Sequence, residues 1–130
     1  MKRLLLAILA TLILPLTTLA EKPPIVSTSS TPSSIELARH LRSSGAVKYS
    51  AYWCPHCHDQ KQIFGKEAIK EIQIIECAED GQNSQRSLCE QKGITGYPSW
   101  EINGKVDSGV KSLKELAEIS GYKDLYSFSK

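Results

Sequence analysis

The run Ala46-Val47-Lys48-Tyr49-Ser50-Ala51-Tyr52-Trp53 leads without a break into Cys54-Pro55-His56-Cys57-His58, and this junction constrains the chain more than any other feature. The first part is rich in strand formers and reads as a β-strand. The second reads as a helix start, because proline suits the first turn, where its missing N–H is no loss. A strand that delivers Cys54 to a helix N-terminus sets its sulfur against unpaired backbone N–H groups and the positive end of the helix dipole. Both favour a thiolate. His56, between the two cysteines, adds a donor or a positive charge beside it. Thiol–disulfide exchange needs this arrangement.

The same residues fit two other chemistries on paper. Cys-x-x-Cys-His is the attachment pattern of a c-type haem, with His58 as proximal ligand, and two thiols with imidazoles suit zinc. A haem needs a far ligand, yet Met1 is the only methionine and falls in a leader, which leaves His40 or His56. The strand signals also differ from a small helical cytochrome. Zinc needs a second close pair of ligands, and Cys77 and Cys89 are too far apart in sequence for a compact knuckle. No metal and no cofactor is therefore expected, and His58 reads as an exposed helix residue.

Residues 1–20 carry Lys2 and Arg3, then an apolar stretch ending Thr18-Leu19-Ala20. This pattern fits a cleaved signal peptide, with an uncleaved anchor helix as the alternative. The remainder is then exported, to a periplasm or a thylakoid lumen. Without Lys2 and Arg3 the 16 basic residues fall to the number of acidic ones, 14, so nothing points to nucleic acid as a partner. Residues 21–34, rich in Pro, Ser and Thr, read as a flexible linker. One domain is expected over residues 35–122, with 123–130 a C-terminal tail.

The four cysteines suit an oxidising compartment. Cys77 and Cys89 read first as a structural disulfide and second as a redox pair relaying electrons to Cys54 and Cys57. The acidic surroundings of Cys77 (Glu76, Glu79 and Asp80) do not favour a thiolate and so support the structural reading.

Along the chain, Ser34 caps a helix ending at Ser43-Ser44-Gly45, and Ala46 to Trp53 forms a strand. A helix from Cys54 is kinked or split at Gly65. Ile72 to Cys77 is a strand and Ser84 to Lys92 a helix. Asn103-Gly104, whose residues tolerate positive φ, turns a hairpin between Ser99–Ile102 and Lys105–Ser108. Ser112 to Ser120 is an amphipathic helix. The order α-β-α-β-α-β-β-α predicts an α/β fold, a mixed central sheet flanked by helices.

The strand ending in Ala51-Tyr52-Trp53-Cys54-Pro55-His56-Cys57, followed by Gly96-Tyr97-Pro98-Ser99, resembles the thioredoxin superfamily. The longer segments AYWCPHCHDQKQIFGKEA and GITGYPSWEINGK are similar to the thioredoxin-like domain fused to vitamin K epoxide reductase homologues in cyanobacteria and plants. Pro55-His56 between the cysteines also resembles the site of the periplasmic oxidant DsbA. The resemblance spans about Ile35 to Tyr122 and implies a thioredoxin-like fold lacking its first strand. It implies Cys54 as the exposed nucleophile and Cys57 as the resolving thiol, tuned by Pro55 and His56. Pro98 would be cis, with the Tyr97 backbone pairing with an extended substrate segment. The aromatic rings of Trp53 and Tyr97, adjacent to the site, read either as substrate-facing or as core or sheet-face residues. Thioredoxins carry a buried acid where this chain has Lys48, which either points inward beside the thiols or faces solvent. Trp100, alternating with Ile102, reads as core.

Together these features predict an exported thiol–disulfide oxidoreductase promoting disulfide formation in cysteine-containing exported proteins. The resemblance nominates a quinone-linked membrane homologue of vitamin K epoxide reductase as its reoxidant. A reductase or isomerase would use the same residues. A redox-inert peptide-binding or chaperone module would use the same groove.

Overall fold

The computed structural model describes residues 22–128. The expected signal or anchor segment, residues 1–20, lies outside the described residues. Four strands form one mixed sheet in the order β2-β1-β3-β4. Central β1 (Val47–Ser50) pairs in parallel with β2 (Gln73–Glu76) and antiparallel with β3 (Ser99–Ile102), which pairs with β4 (Lys105–Ser108). The helices are α1 (Pro32–Ser43), α2 (Pro55–Phe64), α3 (Arg86–Gln91) and α4 (Leu113–Ser120). This is the expected thioredoxin-like arrangement. Among the described residues no further strand extends the sheet beyond β2.

The element ends follow local chemistry. Pro32 opens α1, and Thr31 caps it with a reciprocal Thr31–Ser34 capping box, three residues ahead of the expected cap at Ser34. Asn103 and Gly104 both take positive φ, 52° and 75°, as the hairpin requires. Ser112 and Glu115 form the box that starts α4, and Gly121, in the left-handed region, ends it. Gly65 (φ 87°) splits the expected second helix into α2 and a 3-10 turn, Ala68–Glu71.

The linker expected over residues 21–34 is docked from Ser27 onward. Thr28 and Ser27 bond the Gln62 side chain, and Ser30 Oγ donates to the Phe64 carbonyl and accepts from Ala68 N–H. A Cβ on Gly65 would meet Ser30 N at 2.6 Å, so glycine is required there twice, for φ and for this close approach. The composition that suggested flexibility supplies the hydroxyls that tie the segment down.

Two apolar layers flank the sheet. Leu37, Ala38 and Leu41 of α1 pack with Phe64, Trp100, Ile102, Leu116 and Ala117 on one side. Tyr49 and Ile75 pack with Cys77 and Cys89 on the other. Trp100 is core, as its alternation with Ile102 implied. A third, smaller cluster joins Ala51, Ala78, Cys54 and Cys57 at the end of β1, where the chemistry sits.

Candidate active site

Central β1 ends at Ser50, and three residues of turn carry the chain to Cys54, the N-cap of α2. Its backbone is extended, and its sulfur accepts the Cys57 N–H at 3.3 Å. The sulfur therefore occupies the place that a serine or aspartate oxygen fills in an ordinary cap. Cys57, Gln60 and Phe64 form the buried face of α2, at the i, i+3, i+7 spacing of one helical stripe. Both thiols are free.

The Cys54 thiol donates to the Tyr97 carbonyl at 3.6 Å, and the Tyr97–Pro98 peptide is cis. The segment preceding β3 thus lies directly against the first sulfur. Trp53, 58 % exposed, meets the Tyr97 ring edge-on at 6.1 Å. Beside this pair opens a cavity of about 420 Å³ whose walls include Trp53, Tyr97, Ile94, Ala78 and Arg86.

Several expectations are corrected here. Cys54 was expected to be exposed, and it is only 6 % exposed, against 2 % for Cys57. It was also expected to be acidified by the helix start. The backbone N–H groups of Cys57 and His56 do pull its thiol down, but burial and the hydrogen bond with Cys57 push it up and prevail. His56 contributes through its backbone. Its ring points to solvent, with Nδ1 3.8 Å from Asp59 Oδ2. His58 is half-buried rather than exposed, its Nε2 3.1 Å from Gln62 Nε2.

Cys77 and Cys89 are joined in a disulfide, Cα atoms 5.9 Å apart, linking the end of β2 to α3. Among the described residues no cluster of three or more His, Cys, Asp or Glu side chains is placed to hold a metal ion.

Two buried polar groups near the dithiol escaped or divided the sequence reading. Lys48 faces inward, 0 % exposed, and its Nζ donates to Ser50 Oγ at 3.1 Å. Gln60 is equally buried. Its side chain accepts from Lys111 N–H and Trp100 Nε1 and donates to the Lys111 carbonyl, which ties α2 to the segment before α4. The stripe Cys57, Gln60, Phe64 was the available signal for Gln60. For Lys48 it was the strand alternation shared with Ser50.

This fold, with a free cysteine pair at the start of α2 and a cis-proline segment against the first sulfur, defines a thioredoxin-like protein. No protein-family profile matches the chain. Over 100 residues, 75% of this chain, it is 47% identical to the thiol-disulfide oxidoreductase LTO1 of Arabidopsis thaliana, of which the match covers 27%. Over 86 residues, 58% of this chain, it is 28% identical to a probable protein disulfide-isomerase, ER-60, of Schistosoma mansoni, of which the match covers 17%. The chain thus spans about a quarter or less of the length of these relatives.

Proposed function

We propose that the chain is a thiol–disulfide oxidoreductase acting on cysteine-containing exported proteins, with Cys54 and Cys57 as its redox pair. The observation that carries this is the first sulfur capping α2 while lying 3.6 Å from the Tyr97 carbonyl. In the oxidising direction a client thiolate attacks Cys54 Sγ of the disulfide, and the electron pair of the broken S–S bond leaves on Cys57. A second client thiolate then attacks the client sulfur, and Cys54 departs as a thiolate. The client gains a disulfide, and two electrons rest on the pair. Tyr97, Pro98 and Trp53 line the approach to Cys54 and would hold the client segment.

Export and the partner belong to the same proposal. The apolar leader and the even number of cysteines support a periplasmic or lumenal location. The sequence resemblance supports a membrane quinone reductase of the vitamin K epoxide reductase type as reoxidant. Trapping tests the whole reading. A Cys57→Ala protein should accumulate mixed disulfides with exported clients through Cys54, and Cys54→Ser should accumulate none. Equal absence of adducts and of thiol-oxidising activity in the wild type would defeat it.

One observation favours the opposite direction. Burial that raises the Cys54 thiol disfavours the reduced thiolate form and makes the disulfide a weaker oxidant, which suits a reductase or isomerase. The reduction potential of wild type and His56→Ala decides. A strongly reducing value unmoved by the substitution selects the reductase.

A further inference from the structure

Lys48 is a whole ammonium-bearing side chain inside a small domain, on the central strand, beneath the catalytic helix. Its cross-strand partners are Trp100 on β3 and Ile74 on β2, neither charged. Among the described residues its one hydrogen-bond partner is Ser50 Oγ, a neutral hydroxyl that cannot balance a charge. The titratable groups that act on it are Cys54, Cys57 and Lys61 from α2 and Glu76 from β2. Glu76 is engaged elsewhere, its Oε1 accepting from the backbone N–H of Tyr52 and Ala78. A buried amine in such a place normally neutralises or finds a counter-charge. The group here able to acquire and lose a negative charge is the cysteine pair.

We propose that Lys48 holds a proton that moves with the redox state of Cys54 and Cys57: an ammonium facing a thiolate when the pair is reduced, a neutral amine when the pair is a disulfide. The inference rests on these cysteines being a redox pair. With the thiols free, the Lys48 amine stands at about 8, below its usual 10.5, the net of several influences of which burial, pulling it down, is the largest. Cys57 pulls it back up, Lys61 pushes it down, and Cys54 and Glu76 pull it up. Disulfide sulfurs carry no charge, so oxidation removes both cysteine contributions and leaves burial and Lys61 opposed by Glu76 alone. The amine then falls further.

The balance closes for a client dithiol. Two electrons pass from the client to the pair, the client S–S bond forms and the Cys54–Cys57 bond breaks. Of the two protons the client gives up, one ends on a thiol of the pair and the other on Lys48. The remaining sulfur stays a thiolate opposite the ammonium. No net charge is created in the buried site, and no further reductant or base is needed.

The test compares the Lys48 side-chain titration by NMR in the reduced protein and in protein oxidised chemically with diamide. The expected midpoint is higher in the reduced state by about one unit or more. Equal midpoints in the two states overturn the proposal, and no variant is needed to see it. In Lys48→Met the thiolate ultraviolet absorbance should appear about one unit higher in pH, and the equilibrium with glutathione should shift about tenfold against the reduced form. An unchanged thiolate midpoint in a folded Lys48→Met protein also overturns it. Because diamide forms the disulfide without any client, a failure to exchange with clients counts against the proposed function alone.

Discussion

An ammonium group with no exposed surface and one hydroxyl partner has given up its water for little in return. The stability consequence follows from linkage. The folded protein binds the Lys48 proton less tightly than the unfolded chain does, about 8 against 10.5. The destabilising contribution is therefore fully present below pH 8 and fades as the pH rises from 8 towards 10.5. The difference corresponds to about 3 kcal/mol. Lys48→Met, which keeps the length and removes the charge, should then stabilise the protein by about 2 to 3 kcal/mol at pH 7, unlike most core substitutions. Urea unfolding at pH 7 and again near pH 9.5 checks this, since the gain should shrink at the higher pH. Above pH 10 a second group intervenes. Burial and a hydrogen bond to Glu101 raise Tyr49 to about 12, so the tyrosine subtracts stability there as the pH climbs. A less stable Lys48→Met at pH 7 would show that the lysine stem and its Ser50 bond outweigh the buried charge. At this scale the sequence displayed the cysteines and Pro98 openly. It left Lys48 undecided, because a lysine on a strand says nothing about its face until the neighbouring layer is known.

Helix α2 is held at both ends by things outside itself. At its start Cys54 caps it. At its end Gly65 stops it, and the segment from Ser27 to Thr31 lies across that stop. Gly65→Ala should cost more than about 2 kcal/mol, through the unfavourable φ and a Cβ driven into Ser30. Loss of the strap should show as faster amide exchange at Lys66, whose N–H donates to the Thr28 carbonyl. Unaltered exchange there would mean the segment is not held by this contact. Between the two ends Gln60 spans to Lys111 and Trp100. Gln60→Leu fills the same volume but leaves two backbone groups and an indole N–H without their partner, at about 1 to 3 kcal/mol for each group that water cannot reach. A Gln60→Leu protein as stable as wild type would show that water or a small shift satisfies them. Element types were readable because apolar spacing, Gly65, Asn103-Gly104 and Ser112 are local signals. The strap was not, because Ser27, Thr28 and Ser30 act through partners more than 30 residues away in sequence.

Across the molecule, the sheet has apolar layers on both sides, and they are unequal. The layer built on α1, α2 and α4 includes Trp100, Phe64 and three leucines. The other has Tyr49, Ile75 and a disulfide, with only six-residue α3 to cover it. A thin layer with a short helix has little area to bury, and a covalent link compensates by restricting the unfolded chain. Closing the loop between Cys77 and Cys89, 12 residues apart, should stabilise by about 3 kcal/mol in the chain-entropy view. Replacing both by alanine should therefore lower the unfolding free energy by that amount, read as a lower denaturant midpoint. If the link only staples, the folded double variant retains thiol exchange at Cys54. If the pair relays electrons, exchange with single-thiol reagents persists, but reoxidation by the proposed membrane partner stops. Both cysteines are nearly inaccessible, and a relay sulfur must be reached by its partner. Retained turnover with reduced stability is thus the expected result, and a folded, equally stable double variant that cannot be reoxidised is the one that would reverse the assignment.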